Sequence, residues 1–241
     1  MNTTVKLLLS TFLLSTTVFT HAEMTLNTKY FGMSKSYDQL SWDAREPIYN
    51  FMKAEEENIK RDLLKTGEIT STSLITWGAH GYAHATFNEK DYYIRAFNYQ
   101  TAKQDREYTQ STLEKRKHVT LPGGGACVLY VHDKDLNKAA SLKISLPENN
   151  HGTWCNGVNG LGSARKGSDG VIVSLSYYLT DNTPAKRAQD IGKGWRYMTV
   201  LIRFGEQNGK LILTQDDSCL GNPNKIKDIP TARKVLDKCG S

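Results

Sequence analysis

The chain has 241 residues, 39% of them hydrophobic, with 31 Lys and Arg against 25 Asp and Glu and a net charge of +6. It is long and apolar enough to bury a core without depending on staples, which excludes a wholly disordered chain. The mild, dispersed positive charge, densest at Lys115, Arg116 and Lys117 beside His118, is too thin a footprint for nucleic-acid binding, so no nucleic-acid partner is expected.

Residues 1–22 read as a cleavable secretory leader. Lys6 is the one positive charge of a short head, an apolar run follows from Leu7 to Phe19, and Ala22 is a small residue at the cleavage position. The run is interrupted by Ser10, Thr11, Ser15, Thr16 and Thr17, which makes it too polar for a spanning helix of about 20 apolar residues. No second apolar stretch approaches that length, so no membrane span is expected. Residues 23–241 are expected to form a single exported domain, periplasmic or secreted.

Residues 24–41 read as an extended lead-in with room for one strand. A helix is expected over 44–65. Asp43 is placed to cap it, Glu46 to close a capping box, Pro47 to sit in the first turn and Gly67 to stop it. Ile48, Phe51, Met52, Ile59 and Leu63 make its apolar face. Glu55, Glu56 and Glu57 fall near Lys60 and Arg61 and are expected on the wet side.

Strand-type residues then dominate, over 74–77, 82–87 and 92–99, with a hairpin loop at 88–91. Residues 100–118 are polar, and the Pro122-Gly123-Gly124-Gly125 break is read as an internal turn. Strands resume at 126–131 and 141–146. Residues 147–170, rich in Asn and Gly, read as a loop. Strong strands follow at 171–179 and 195–204. A short polar helix is expected after Thr183-Pro184. Gln207-Asn208-Gly209 turns the chain into a strand at 211–214. A helix over 231–238 closes the sequence. About seven or eight strands joined by hairpins, with a long helix before them and a short one after, define an α+β class with a mainly antiparallel sheet.

All four cysteines, Cys127, Cys155, Cys219 and Cys239, lie beyond the leader. An even count in an exported chain favours two disulfides. Cys127 with Cys155 and Cys219 with Cys239 are preferred because each closes a local loop, worth about 3 kcal/mol in the chain-entropy model.

Two constellations could carry chemistry. His80 and His84 would share a strand face and could start a metal site, but Gly78 and Gly81 imply a bend and a third ligand is missing at close spacing. His151 and Cys155, inside Asn150-His151-Gly152-Thr153-Trp154-Cys155-Asn156-Gly157, could form a thiol–imidazole pair. The disulfide count and the glycines that follow argue for a staple instead. Asp133, Asp135 and Asn137 alternate as in a calcium loop, without its Gly and distal Glu. No phosphate loop, nucleophile elbow or zinc-protease motif is present, so no cofactor, no metal and no catalytic set are expected.

Aromatics are plentiful. Tyr92 and Tyr93, and Tyr177 and Tyr178, are adjacent pairs, so one of each pair is expected outside a half-covered sheet. With Trp154 they are the expected anchors for another protein, such as a toxin or effector. The sequence thus points to a non-catalytic periplasmic binding protein, an inhibitor or toxin-neutralising (immunity) protein. The alternatives are a secreted hydrolase using His151 and Cys155 or a His80/His84 metal, and a carbohydrate- or ligand-binding module.

Overall fold

The strands run longer than local sequence suggests because both faces of each sheet are covered. In the computed structural model, which describes residues 24–28, 39–102, 125–147, 153–165, 168–179 and 195–239, they form two antiparallel sheets. Sheet 1 has the order β1-β2-β3-β4-β5, from β1 (Met24–Asn27), β2 (Ile75–Phe87), β3 (Lys90–Tyr99), β4 (Ala126–His132) and β5 (Lys138–Lys143). Sheet 2 has the order β6-β7-β8-β9, from β6 (Thr153–Ser163), β7 (Gly170–Leu179), β8 (Trp195–Gln207) and β9 (Lys210–Asp216). Helix α1 (Trp42–Lys65) and helix α2 (Ile229–Cys239) complete the described elements. The chain adopts the expected α+β class with mainly antiparallel pairing, a long helix before the strands and a short one after them, but the single sheet expected is divided into two. The expected leader, residues 100–118 beyond Ala102, and the helix after Thr183-Pro184 lie outside the described residues.

Strand alternation sorts the side chains of sheet 1 into two apolar faces. Ala83, Ala85, Phe87, Ile94, Ala96, Cys127, Leu129 and Val131 point toward sheet 2. There they meet Val171, Val173, Leu175, Met198, Val200, Ile202 and Phe204 in one core. The residues between them, Phe97, Tyr99, Val128 and Tyr130, form the opposite face and pack under Ile59 and Leu63 of α1. Sheet 2 repeats the arrangement. Ile172 and Leu201 on its outer face are covered by Ala232 and Leu236 of α2, with Ala164 and Leu220. The order of layers is helix, sheet, sheet, helix.

Helix α1 begins two residues earlier than expected. Ser41 is its N-cap, without a side-chain cap, so the capping box expected at Asp43 and Glu46 does not form. Pro47 consequently falls in the second turn. The C-terminus matches the glycine signal. Gly67 has φ +74, the Gly67 N–H bonds Leu64 O at 3.1 Å, and the Glu68 N–H bonds Leu63 O at 3.0 Å. These are the two bonds of a Schellman stop. Helix α2 is capped by Asp228, whose Oδ1 accepts the Thr231 N–H at 2.8 Å. That bond leads the effects that hold the Asp228 carboxyl below its usual range.

Two tight turns set the hairpins. Asn88 and Glu89 have φ of 50 and 60, and Asn208 and Gly209 have φ of 53 and 73. Positive φ at both central residues is the turn whose twist matches paired strands. The strand expected at 141–146 lies earlier, at Lys138–Lys143; beyond it Ile144 and Leu146 still pack on the core. The Gln215 amide then joins the sheet edges, accepting the Ser145 N–H at 2.8 Å and donating to Ser145 O at 3.1 Å.

Two glycine-rich segments depart from expectation. Residues 147–170 are not all loop, because β6 occupies Thr153–Ser163. Its glycines serve packing: a Cβ on Gly160 would touch Ile229, and one on Gly162 would crowd Ile229 and Arg233 of α2. The segments expected at 74–77 and 82–87 are one strand, β2, whose register shifts between Trp77 and Tyr82. At that bulge a Cβ on Gly78 would sit 3.0 Å from Val158 O, and one on Gly81 would overlap the Ala96 carbonyl. Backbone atoms cannot move aside as side chains can. Gly81→Ala is therefore expected to lose about 3 kcal/mol or more, at or beyond the upper end for overpacking, whereas Gly209→Ala should lose about 1. Urea denaturation of the two variants checks the ranking, and equal losses would refute the close approach.

Candidate functional site

The apolar stripe of α1 has a charge in it. Ile48, Ile59 and Leu63 are buried as expected, and Glu55 is buried with them at 0% exposure. This corrects the assignment of the triple Glu to the wet side. Glu55 lies seven residues after Ile48 and four before Ile59, so it falls on the buried face. Glu57 is exposed and Glu56 is half-buried.

Glu55 meets two side chains that rise from the outer face of sheet 1. His132 at the end of β4 is 1% exposed, and Arg95 in β3 is 2% exposed. His132 Nε2 lies 2.7 Å from Glu55 Oε1, and its Nδ1 lies 2.7 Å from the Asp133 carbonyl oxygen. Arg95 Nε is 3.8 Å from Glu55 Oε2, and its Nη2 donates to Glu56 Oε1 at 2.9 Å. Burial, partly offset by Arg95, holds the Glu56 carboxyl above its usual range. Glu55 Oε2 and Arg95 Nε and Nη1 make no hydrogen bond.

Aromatic rings wall this cluster. Tyr93, opposite His132 in the register, stacks on the imidazole at 5.5 Å with 10° between planes. Phe51 from α1 lies 6.1 Å from the same ring. The Arg95 guanidinium sits 5.4 Å from the Trp77 ring and 5.9 Å from the Tyr82 ring. Further polar ties run along the helix. Asn58 donates to Leu136 O at 2.7 Å, Lys138 pairs with Asp62 at 2.8 Å, and the Tyr99 hydroxyl donates to Glu68 at 2.8 Å. Burial and its carboxylate partner hold each of the Tyr99 and Tyr130 phenols well above the usual range. Chemically, the cluster is a desolvated ion network fixing one helix on one sheet.

The residues singled out from sequence fare differently. Cys127 pairs with Cys155 and Cys219 with Cys239, as preferred. Pairing leaves Cys155 without a thiol, which removes the cysteine nucleophile; His151 lies outside the described residues. The imidazole of His84 lies 3.4 Å from Asp91 and 5.2 Å from the Tyr93 ring, and the bulge breaks the run between it and position 80. Among the described residues no group of three or more His, Cys, Asp or Glu is placed to hold a metal ion. Asp133 spends its carboxylate inside its own loop, accepting the Asp135 and Asn137 N–H groups at 2.8 and 2.9 Å and the Asn137 amide at 3.0 Å. These bonds outweigh burial and hold that carboxyl below its usual range.

Tyr92, Trp154, Tyr177 and Tyr178 are buried, and Tyr93 is half-buried against His132. The expectation that one Tyr of each pair lies outside is corrected: both sheet faces are covered, so alternate side chains enter different cores. Tyr177 joins the core between the sheets, and Tyr178 packs edge-on against Trp195 at 6.0 Å. Among the described residues the two most exposed aromatics are on α1, ahead of Tyr197 on β8 at 40%. Trp42 is 70% and Tyr49 54% exposed, seven residues apart on one side of the helix. Their flanking Asp43, Glu46 and Asn50 disguise them as ordinary amphipathic-helix residues. Comparison with protein-family models, curated proteins and solved structures finds no match.

Two outcomes follow from burial. Glu55→Ala leaves His132 buried without its carboxylate and Arg95 with Glu56 alone, and is expected to lose about 3–5 kcal/mol, against less than about 0.5 for Glu57→Ala. Urea denaturation separates them, and a Glu55→Ala loss as small as that of Glu57→Ala would refute a locked network. Cys127 and Cys155 are fully buried, whereas Cys219 is half-buried and Cys239 exposed. Mild reductant with an alkylating agent should label Cys219 and Cys239 first. Mass mapping that found all four labelled at one rate in native protein would contradict this order.

Proposed function

We propose that this is a non-catalytic, disulfide-stapled binding protein of the bacterial envelope, periplasmic or secreted, that captures another protein as an inhibitor or toxin-neutralising (immunity) protein does. The observation that carries the reading is the pair Trp42 and Tyr49, exposed on a helix whose opposite side is anchored by the buried Glu55 network. Large aromatics on a rigid support bind with little ordering cost and are frequent interface anchors. The export reading fits two disulfides and the finding that, among the described residues, no helix is long and apolar enough to cross a membrane. The occupied nitrogens of His132 and the paired Cys155 support a binding role over a hydrolytic one.

The test takes mature protein from a periplasmic extract and titrates it with the purified product of the adjoining gene. The expected result is a stoichiometric complex that blocks that product's activity. Trp42→Ala and Tyr49→Ala should each weaken it by about 2 kcal/mol, roughly thirtyfold, without changing the melting transition. Turnover of a peptide, ester or glycan substrate by the purified protein would overturn the reading. So would a complex indifferent to both substitutions.

A further inference from the structure

The contact between His132 and Glu55 requires a proton. The Asp133 carbonyl only accepts, so His132 Nδ1 is protonated and donates across the 2.7 Å contact. An imidazole protonated on Nδ1 alone offers a lone pair at Nε2, and an ionised carboxylate also only accepts. Two acceptors 2.7 Å apart, both shielded from water, would repel. The contact therefore holds one proton, on the imidazole or on the carboxyl. With the helix lifted away in mildly alkaline solution, the same groups are a hydrated neutral imidazole and a hydrated carboxylate, one proton fewer.

We infer that the His132–Glu55 contact is a proton-dependent latch, holding α1 on sheet 1 while the pair keeps its shared proton and releasing it as pH rises. The docked state binds one more proton than the released state. Release is therefore favoured tenfold per pH unit, beginning above about pH 6.5, where a free imidazole becomes neutral, and ending where the docked pair gives up its proton.

Among the described residues, the surrounding groups do not replace that proton. From α1, Glu56 is committed to Arg95, and Asp62 to Lys138 of β5 and Tyr130 of β4. From β3, Arg95 faces the second Glu55 oxygen and favours the carboxylate with the proton on the imidazole, while Tyr93 presents its ring face to His132. Tyr82 of β2 flanks Arg95, and His84 of β2 turns to Asp91. The Asp133 carboxylate is bound within its own loop. Release would uncover Phe97, Tyr99, Val128 and Tyr130, the apolar face that α1 protects.

Glu55→Gln tests the latch. Its amide N–H donates to the Nε2 lone pair of a neutral imidazole, completing the contact without the extra proton. Amide hydrogen exchange is followed between about pH 7 and 9, with protection corrected for the intrinsic rate. In the wild type, α1 protection should fall tenfold per pH unit while α2, which carries no imidazole, stays level. In Glu55→Gln both helices should stay level. Level α1 protection in the wild type overturns the latch. Equal loss in α1 and α2 overturns helix-specific release, and a wild-type slope in Glu55→Gln assigns it to another group such as His84 or Glu56. The wild type carries a second readout that does not depend on the variant folding. Nitrogen-15 shifts of the His132 ring and carbon-13 shifts of the Glu55 carboxyl at pH 7.5 locate the proton, and finding it on neither group refutes the latch.

Discussion

Sheet 1 has two apolar faces on the same strands, and neither can be left in water. The inner face is met by sheet 2 and the outer by α1. Once α1 is required as a cover, it must sit at one rotation and one height. The apolar contacts of Ile59 and Leu63 with Phe97, Val128 and Tyr130 are non-directional, so they specify that position less sharply than a paired charge does. The buried Glu55 fixes it, since its carboxylate can be satisfied only where His132 and Arg95 stand. A misplaced helix would leave charges desolvated and unpaired, a penalty of several kcal/mol. Buried ion pairs are weak as sources of stability against an apolar replacement, but they discriminate strongly between arrangements.

The disulfides act on the other layers. Cys127 in β4 and Cys155 in β6 join the two sheets through the core between them. Cys219 and Cys239 tie the chain after β9 to the last residue of α2. Each layer junction thus has its own fastening. The outer face of sheet 1 has the ion network, the sheet–sheet core has a buried disulfide, and the outer face of sheet 2 has an exposed one. Polar ties reinforce the last junction, where Ser174 and Thr199 donate to the carbonyls of Lys227 and Ile226 at 2.6 and 2.9 Å. Among the described residues of these three fastenings, the imidazole belongs to the first.

Local rules made much of this fold legible. Gly67 stops α1 because a positive φ is needed there, and Asn208-Gly209 turns a hairpin for the same reason. The cysteine pairing followed from parity and short loops. What stayed hidden depended on contacts distant in sequence. Gly157, Gly160 and Gly162 resemble loop residues, yet α2 lies against two of them and β6 needs the room. Tyr177 and Tyr178 imply one exposed ring only if one face of the sheet is bare, and neither is. Glu55 resembles its neighbours Glu56 and Glu57 in composition, and the stripe Ile48, Glu55, Ile59, Leu63 is the one local clue that it points inward.

The hidden charge also bears on the exposed ridge. Trp42 and Tyr49 belong to the same rigid rod as Glu55, so whatever fixes the rod fixes the spacing and direction of the aromatics. A partner that grips them gains from a helix already held in place, because ordering it would otherwise count against binding. Coupling then runs both ways. A partner that binds only the docked helix also favours the proton held between His132 and Glu55, since linkage is reciprocal. The exposed aromatic ridge of this protein and its buried His132–Glu55 pair are, on this argument, two ends of one mechanical element.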